Sequence, residues 1–276
     1  MIILPSFEDE WPDGHRTKPR IQVLEIRHRD RPNDDPVAWL LIERREIYRC
    51  DERDNSIYEA SISISYRRIT ARHSNFDGGK GNFDGSYSKS SNSVSLTSKS
   101  TSKGAVFLDL PGLEGQRIGT YFMNEIVRWV RRWPEATVNS IDLSSGNGHG
   151  ENKERRNRFY EQFGLVFDYA DPEHRAGHSR LMFASELINV DTWKQNITER
   201  GVFDYLAGIL YEKERASSEL ESRNRACDCL IAERRQAEAK PIRWALKILY
   251  YRYAGLVVRG AILALLLMAV WSKFGA

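Results

Sequence analysis

The sequence predicts a mixed α/β (α+β) fold: a mostly antiparallel sheet flanked by helices, continued by a C-terminal helical extension that ends in a hydrophobic helix. Three observations predict it. Residues 20–69 alternate apolar and polar side chains in the manner of strands. Residues 105–143 read as an apolar run, a glycine turn, an amphipathic helix and a second apolar run. Beyond residue 190 the chain turns helical, first highly charged and then apolar. A hydrophobic fraction of 41% and an aromatic fraction of 11% are enough for a packed core and argue against global disorder.

The 276 residues leave room for one ordinary domain plus a sizeable extension. They divide into an N-terminal segment (1–19), a domain (20–185), a helical region (186–239) and a basic, then hydrophobic, tail (240–276). Within the domain, Ile21, Val23 and Ile26 mark a first strand. Val37–Tyr48 and Ile57–Ile69 mark two more, the latter alternating through Ile62, Ile64 and Tyr66. Residues 74–103 are rich in Gly, Ser, Asn and Lys and offer little to bury. They read as a flexible insertion or a loose hairpin, with Val94 and Leu96 as the remnant of a strand.

Ala105–Leu110 is a short apolar run typical of a buried strand. It passes through Pro111 and Gly112 into a helix whose Ile118, Phe122, Ile126, Val130 and Trp133 share one face. Pro134 stops that helix, and Thr137–Leu143 supplies the next strand. Arg155–Phe163 is a second helix ended by Gly164, with Leu165–Tyr169 and Ser179–Phe183 as closing strands.

In the helical region, Val202, Leu206, Ile209, Leu210, Ala216, Leu220, Cys227 and Leu230 form an imperfect seam. Two readings fit it: a coiled coil that makes a homodimer through residues 198–235, or a helix packed on its own domain. Residues 254–271 carry one charge, Arg259. With the preceding segment they reach the roughly 17–20 residues a bilayer span needs. Tyr250, Tyr251, Tyr253 and Trp271 stand at the two ends like interfacial aromatics. Lys240, Arg243, Lys247 and Arg252 place the N-terminal side in the cytoplasm. The expectation is a membrane anchor with the domain in the cytoplasm; the plainer reading is a buried or interfacial amphipathic helix.

A net charge of +3, from 41 basic and 38 acidic residues, gives no argument for nucleic acid as a partner. Cys50, Cys227 and Cys229 make no disulfide framework, no secretory signal precedes the polar stretch Glu8–Arg20, and free thiols in a reducing compartment are expected. Cys227 and Cys229 are too close for the usual zinc pair. His174 and His178 are spaced for a helix, but Asp171, Pro172 and Gly177 favour a turn there, so no metal is expected.

The chemistry rests on two segments. Glu114-Gly115-Gln116-Arg117-Ile118-Gly119-Thr120 joins a strand to a helix through a glycine turn. Such a corner leaves backbone N–H groups unpaired, and the helix dipole adds positive potential, which together suit a pyrophosphate. Downstream comes Asn157-Arg158-Phe159-Tyr160-Glu161-Gln162-Phe163-Gly164-Leu165. In this order, with one helix and one strand between them, the two segments resemble the signature motifs of the GNAT-superfamily acetyltransferases. The first of these is Arg/Gln-x-x-Gly-x-Gly/Ala; the second is an aromatic-Tyr-x-x-x-Gly-Phe segment. The resemblance covers about Ala105–Tyr169. Glu114 stands in place of Arg or Gln, Arg117 in place of the first glycine, and Leu165 in place of Phe.

The resemblance implies a GNAT-like sheet and an acetyl transfer from acetyl-CoA to an amine by direct attack in a ternary complex, with no metal. Backbone amides of Gln116, Arg117, Ile118, Gly119 and Thr120 would hold the pyrophosphate, with Arg117 adding charge. A backbone N–H in the Leu108–Leu110 segment would polarise the thioester carbonyl. Tyr160 would protonate the departing thiolate. Asn157 would bind the CoA arm, or only the preceding loop. Lys153, Arg155 and Arg156 would meet the 3′-phosphate, or simply form a solvated helix start. Asp109, Asp142 and His149 stand where a base is needed, none singled out. The acceptor is an amine on a small molecule or a protein. The alternative is a GNAT-shaped binding module without turnover, acting as a membrane-attached interaction or regulatory protein.

Overall fold

The computed structural model describes residues 2–3, 21–69, 79–99, 110–143 and 151–274. They form two compact units, residues 1–206 and 207–276. In the first, the alternating segments become a meander. β1 (Ile2–Ile3) and β2 (Ile21–Ile26) both pair with β3 (Ala38–Cys50). Then follow β4 (Ile57–Ile69), β5 (Lys80–Ser88) and β6 (Ser93–Ser95), each antiparallel to the one before. Period-two burial is plain in β3 and β4, where Leu40, Ile42, Ile62, Ile64 and Tyr66 face inward.

Residues 80–95, expected as an insertion or loose hairpin, are integral to this sheet. On the face that carries Phe83, Tyr87 and Val94, one small residue, Gly85, makes room for a close helix. That helix is α1 (Ile118–Val130), whose Phe122 sits between Tyr66 and Phe83, with ring centres 5.1 and 5.0 Å away. A Cβ on Gly85 would come within 2.8 Å of the Ile126 side chain, so the glycine is a requirement of close approach.

After α1 the chain returns as β7 (Thr137–Val138), parallel to β6 and at the sheet edge. β8 (Asp142–Leu143) then belongs to a second, three-stranded sheet with β9 (Phe167–Tyr169) and β10 (Gly177–Ser179), in the order β8-β10-β9. α2 (Glu151–Glu161) precedes β9, and Gly164, at φ +88°, closes the turn between them. The main sheet ends on a strand the sequence did not suggest. β11 (Ile197–Gly201) pairs antiparallel with β2, giving the order β11-β2-β3-β4-β5-β6-β7. Residues 186–201 are thus sheet and 3₁₀ turn, and the long helix α3 (Val202–Ala239) starts only after them.

The strand expected at 105–110 lies outside the described residues except for Leu110, which is buried in a turn ahead of α1. The strand that pairs with Thr137–Val138 is Ser93–Ser95.

The inward face of β3 changes chemistry along its length. Past Ile42 it presents Arg44, Glu46 and Tyr48, all buried under the C-terminal half of α1. Glu46 pairs with Arg44 and accepts from the Tyr48 hydroxyl. Trp129 Nε1 donates to Tyr48 Oη (3.0 Å), and Arg132 reaches both Glu46 (3.2 Å) and Tyr48 (2.8 Å). Glu125 lies 3.9 Å from Arg44. Charges in such surroundings persist only when paired, and the pairing fixes how α1 is oriented on the sheet.

The second unit contains α3 from Ala207 onward and α4 (Pro241–Phe274). Pro241–Leu265 contains an 18-residue stretch with a mean hydropathy of 1.4 and is, by length and composition, long and apolar enough to cross a membrane. The hydrophobic run 254–271 falls in the C-terminal part of that helix.

Glu46 is fully buried with Arg44 and the solvent-reaching Arg132 as partners, so Glu46→Ala removes the nearest carboxylate of the buried Arg44. The expected loss is about 3–5 kcal/mol in urea unfolding. A loss below about 1 kcal/mol would mean that the network does not hold α1.

Candidate functional site

The strand from Thr137 to Leu143 changes partner partway. At its start, the Thr137 N–H donates to the Asn92 carbonyl (2.9 Å) and the Asn139 N–H to the Val94 carbonyl (2.8 Å). The other side is engaged already at Val138, whose N–H donates to the Met182 carbonyl (2.8 Å), and the bonds on that side continue from Ser140. Ser140 Oγ donates to the Ser179 carbonyl (3.0 Å), the Ile141 N–H to Ser179 Oγ (2.9 Å), and the Ser179 N–H to the Ile141 carbonyl (3.0 Å). On the facing side β6 ends at Ser95, and the Thr97 N–H turns onto Ser95 Oγ (3.4 Å). The two parallel strands are laddered at their beginnings and part at their carboxyl ends. In α/β crossovers, that end faces the start of the connecting helix and is where ligands enter.

The helix start itself is built from the turn 110–117. Leu113 N–H donates to the Leu110 carbonyl (3.0 Å) and Gln116 N–H to the Leu113 carbonyl (3.3 Å). Arg117 is the N-cap at φ +62°, a left-handed conformation that glycine adopts without strain. It adopts that backbone shape despite its side chain. The first intrahelical bond is Tyr121 N–H to the Arg117 carbonyl (3.0 Å), with no side-chain cap and no acidic residue in the first turn. The N–H groups of Arg117, Ile118, Gly119 and Thr120 therefore have no intrahelical acceptor.

Two expectations at this corner change. The Arg117 guanidinium does not point to the helix start. Its Nη1 donates to the Thr192 carbonyl (3.0 Å), Gln195 Oε1 (2.7 Å) and Asn196 Oδ1 (3.4 Å). The Gln116 amide is spent inside the turn, while its Oε1 accepts from the Arg29 N–H (2.7 Å). Asn196 Nδ2 ties the Gln116 carbonyl (3.0 Å) to that of Arg27 (3.1 Å). These two side chains brace the corner.

α2 meets the same corner. Gln162, just past its end, donates through Nε2 to Thr120 Oγ1 (3.3 Å) in the first turn of α1. Tyr160 is buried against Phe159 and Phe167 (5.0 and 5.9 Å), and no described residue hydrogen-bonds its hydroxyl. Burial pushes its phenol up to about 12, opposed by the nearby Arg156 guanidinium. Asn157 turns the other way. Its Nδ2 donates to the His174 carbonyl (3.0 Å) and its Oδ1 accepts from Arg156 Nε (3.1 Å), so it anchors the following loop. Arg156 likewise donates to the Arg175 carbonyl (2.8 Å).

Leu108, Asp109 and His149 lie outside the described residues. Asp142 sits exposed on β8, and Lys153 and Arg155 lie on α2. His174 and His178 fall on a turn and a strand, and no group of metal-ligating side chains occurs among the described residues. Asn196 and Gln162 escaped the sequence reading. Nothing local marks them, because their partners lie far along the chain. Set against protein families, curated proteins and solved structures, the chain finds no match in any of the three.

Buried phenols give the folded chain a marked alkaline limit. Tyr160 and Tyr169 are raised to about 12, Tyr160 by burial and Tyr169 by burial and its bond to Glu161. Burial also raises Tyr48 and Tyr121. A folded-state pKa above the unfolded value near ~10 means full stabilisation below that pH and loss above it. Stability to urea should stay level up to pH ~10 and fall steeply towards pH ~12, with a shallower fall in Tyr160→Phe. An unchanged slope in that variant would show that Tyr160 titrates alike in both states.

Proposed function

We propose that this chain is an acetyltransferase that moves an acetyl group from acetyl-CoA to an amine by direct attack in a ternary complex, a GNAT-like enzyme. A second part of the proposal is that α4 tethers it to a membrane, with the first unit on the cytoplasmic side. One observation carries the reading: a parallel strand pair that parts at its carboxyl ends beside an uncapped helix start. A diphosphate bridge needs N–H donors, and the amides of Arg117, Ile118, Gly119 and Thr120 have no acceptor within α1.

In the proposed reaction the neutral amine attacks the thioester carbonyl and the C–S bond breaks. The sulfur takes a proton from the Tyr160 hydroxyl, and the proton released by the amine passes to water, which re-protonates the phenol. Burial keeps Tyr160 protonated through the physiological range, so it enters each cycle as an acid. Arg156 pulls its pKa down against burial, which eases release of the proton. Gln162 holds α2 to the first turn of α1, which fixes the donor relative to the diphosphate site. Lys240, Arg243, Lys247 and Arg252 at the start of α4 support the cytoplasmic orientation.

Acetyl-CoA at about a hundred times its Kd should stabilise the protein by ~2.7 kcal/mol, read as a rise in melting temperature. Tyr160→Phe should keep that shift while turnover falls about 10²- to 10⁴-fold. No shift at saturating acetyl-CoA would reject the enzyme reading. A shift without turnover on any amine would favour the binding-module reading.

A further inference from the structure

α3 is one uninterrupted helix from Val202 to Ala239, and it buries none of its residues. Its continuity allows the seam to be counted in heptads without a break. One set of positions, the a sites, falls at Leu206, Lys213, Leu220, Cys227 and Arg234. The other, the d sites, falls at Val202, Ile209, Ala216, Arg223, Leu230 and Ala237. All but Lys213, Arg223 and Arg234 are apolar or cysteine, and the 3–4 alternation never slips. Leu206, Ile209, Leu220 and Leu230 are each about half exposed or more, from 47% to 65%. A seam that holds its register over this length has the spacing of a two-stranded coil, since helices under-wind to 3.5 residues per turn to keep such a stripe facing a partner.

We infer that α3 is the dimerisation element of this chain, forming a parallel, in-register two-stranded coiled coil with the α3 of a second copy. The charges on the seam support this occupant. In a parallel pair each a-site residue lies beside the partner's preceding g-site residue. Lys213 thus meets Glu212 of the second copy, and Arg234 meets its Glu233. Within each helix, Glu219 accepts from Arg223 (2.6 Å) and Glu238 accepts from Arg234 (2.9 Å). Two of the three seam cations, Lys213 and Arg234, therefore gain a carboxylate from a second copy, which a partner of unrelated sequence has no reason to supply. The cationic layers weaken the coil and set its register, as a single polar a-site residue does. The parallel direction also rests on the proposed membrane reading of α4. Two copies anchored at the same end of α3 start parallel and at high effective concentration.

Cys227 provides the test. At an a site of a parallel, in-register coil it faces its own counterpart across the axis, whereas Cys229 at a c site faces outward. The full-length protein in detergent micelles is treated with a short bismaleimide. A covalent dimer is expected in wild type and in Cys229→Ser, and none in Cys227→Ser. Leu220→Asp, at a position exposed in the single chain, should abolish the cross-link and shift the light-scattering mass from dimer to monomer. Lys213→Leu should tighten the dimer about tenfold. A monomeric wild type would overturn the inference, as would cross-linking through Cys229 or Cys50 with Cys227 silent. Because every readout is mass or cross-linking, failure here leaves the acetyl-CoA result untouched, and loss of acetyl-CoA binding leaves the dimer untouched.

Discussion

The segment from Thr137 to Leu143 joins the two sheets, starting as β7 beside β6 and ending as β8 beside β10, and the architecture around α1 is built on that handover. Its first residues are held by β6 and its last by β10. The Ser179 side chain makes the change of partner sharp, because Oγ takes the Ile141 N–H that a continuing ladder would have used. A sheet that opens at one place exposes strand edge and backbone polarity where a closed one would hide both. Nearly everything else in the first unit keeps that opening in place.

α1 is held at both ends by different chemistry. At its C-terminal half the clamp is ionic and aromatic, with Glu46, Tyr48 and Trp129 buried together and Arg132 reaching them from the surface. At its start the clamp consists of neutral hydrogen bonds and one arginine turned aside, with Asn196, Gln116, Arg117 and Gln162 each bonded to a separate segment. The start of a helix that cannot rock presents its amides at fixed positions, and donors fixed in advance lose nothing to reorganisation when a charge arrives. Arg117 is informative here. Its side chain is turned to residues 192–196, while its backbone takes the left-handed shape that glycine adopts without strain. Its bonds to residues 192–196 offset the strain.

Much of this was legible in the sequence where burial alternates with apolar contrast. β4 could be read from Ile62, Ile64 and Tyr66, and α1 from the single face of Ile118, Phe122, Ile126 and Val130. The reading failed where contrast was absent. β5 and β6 bury Ser86, Ser88, Ser93 and Ser95 on the face away from α1, so a firmly paired hairpin read as a flexible insertion or a loose one, with Val94 the mark of its second strand. β11 is short and abuts α3, and only its pairing with β2 distinguishes it from a helix lead-in. Arg44 and Glu46 sit at inward positions where a charge reads as solvent-facing. The glycine corner and Tyr160 were visible as motifs. The direction of the Arg117 and Asn157 side chains was not, since each is decided by a partner distant in sequence.

The claim that the first amides of α1 receive a diphosphate is open to direct measurement by hydrogen–deuterium exchange on the full-length protein with and without CoA. Those amides have no intrahelical acceptor and should exchange fast in the free protein. With saturating CoA the account predicts slowed exchange in peptides covering residues 115–122, and little change in the already bonded stretch 123–130. Unchanged exchange at 115–122 while CoA is bound would place the diphosphate elsewhere and contradict the account.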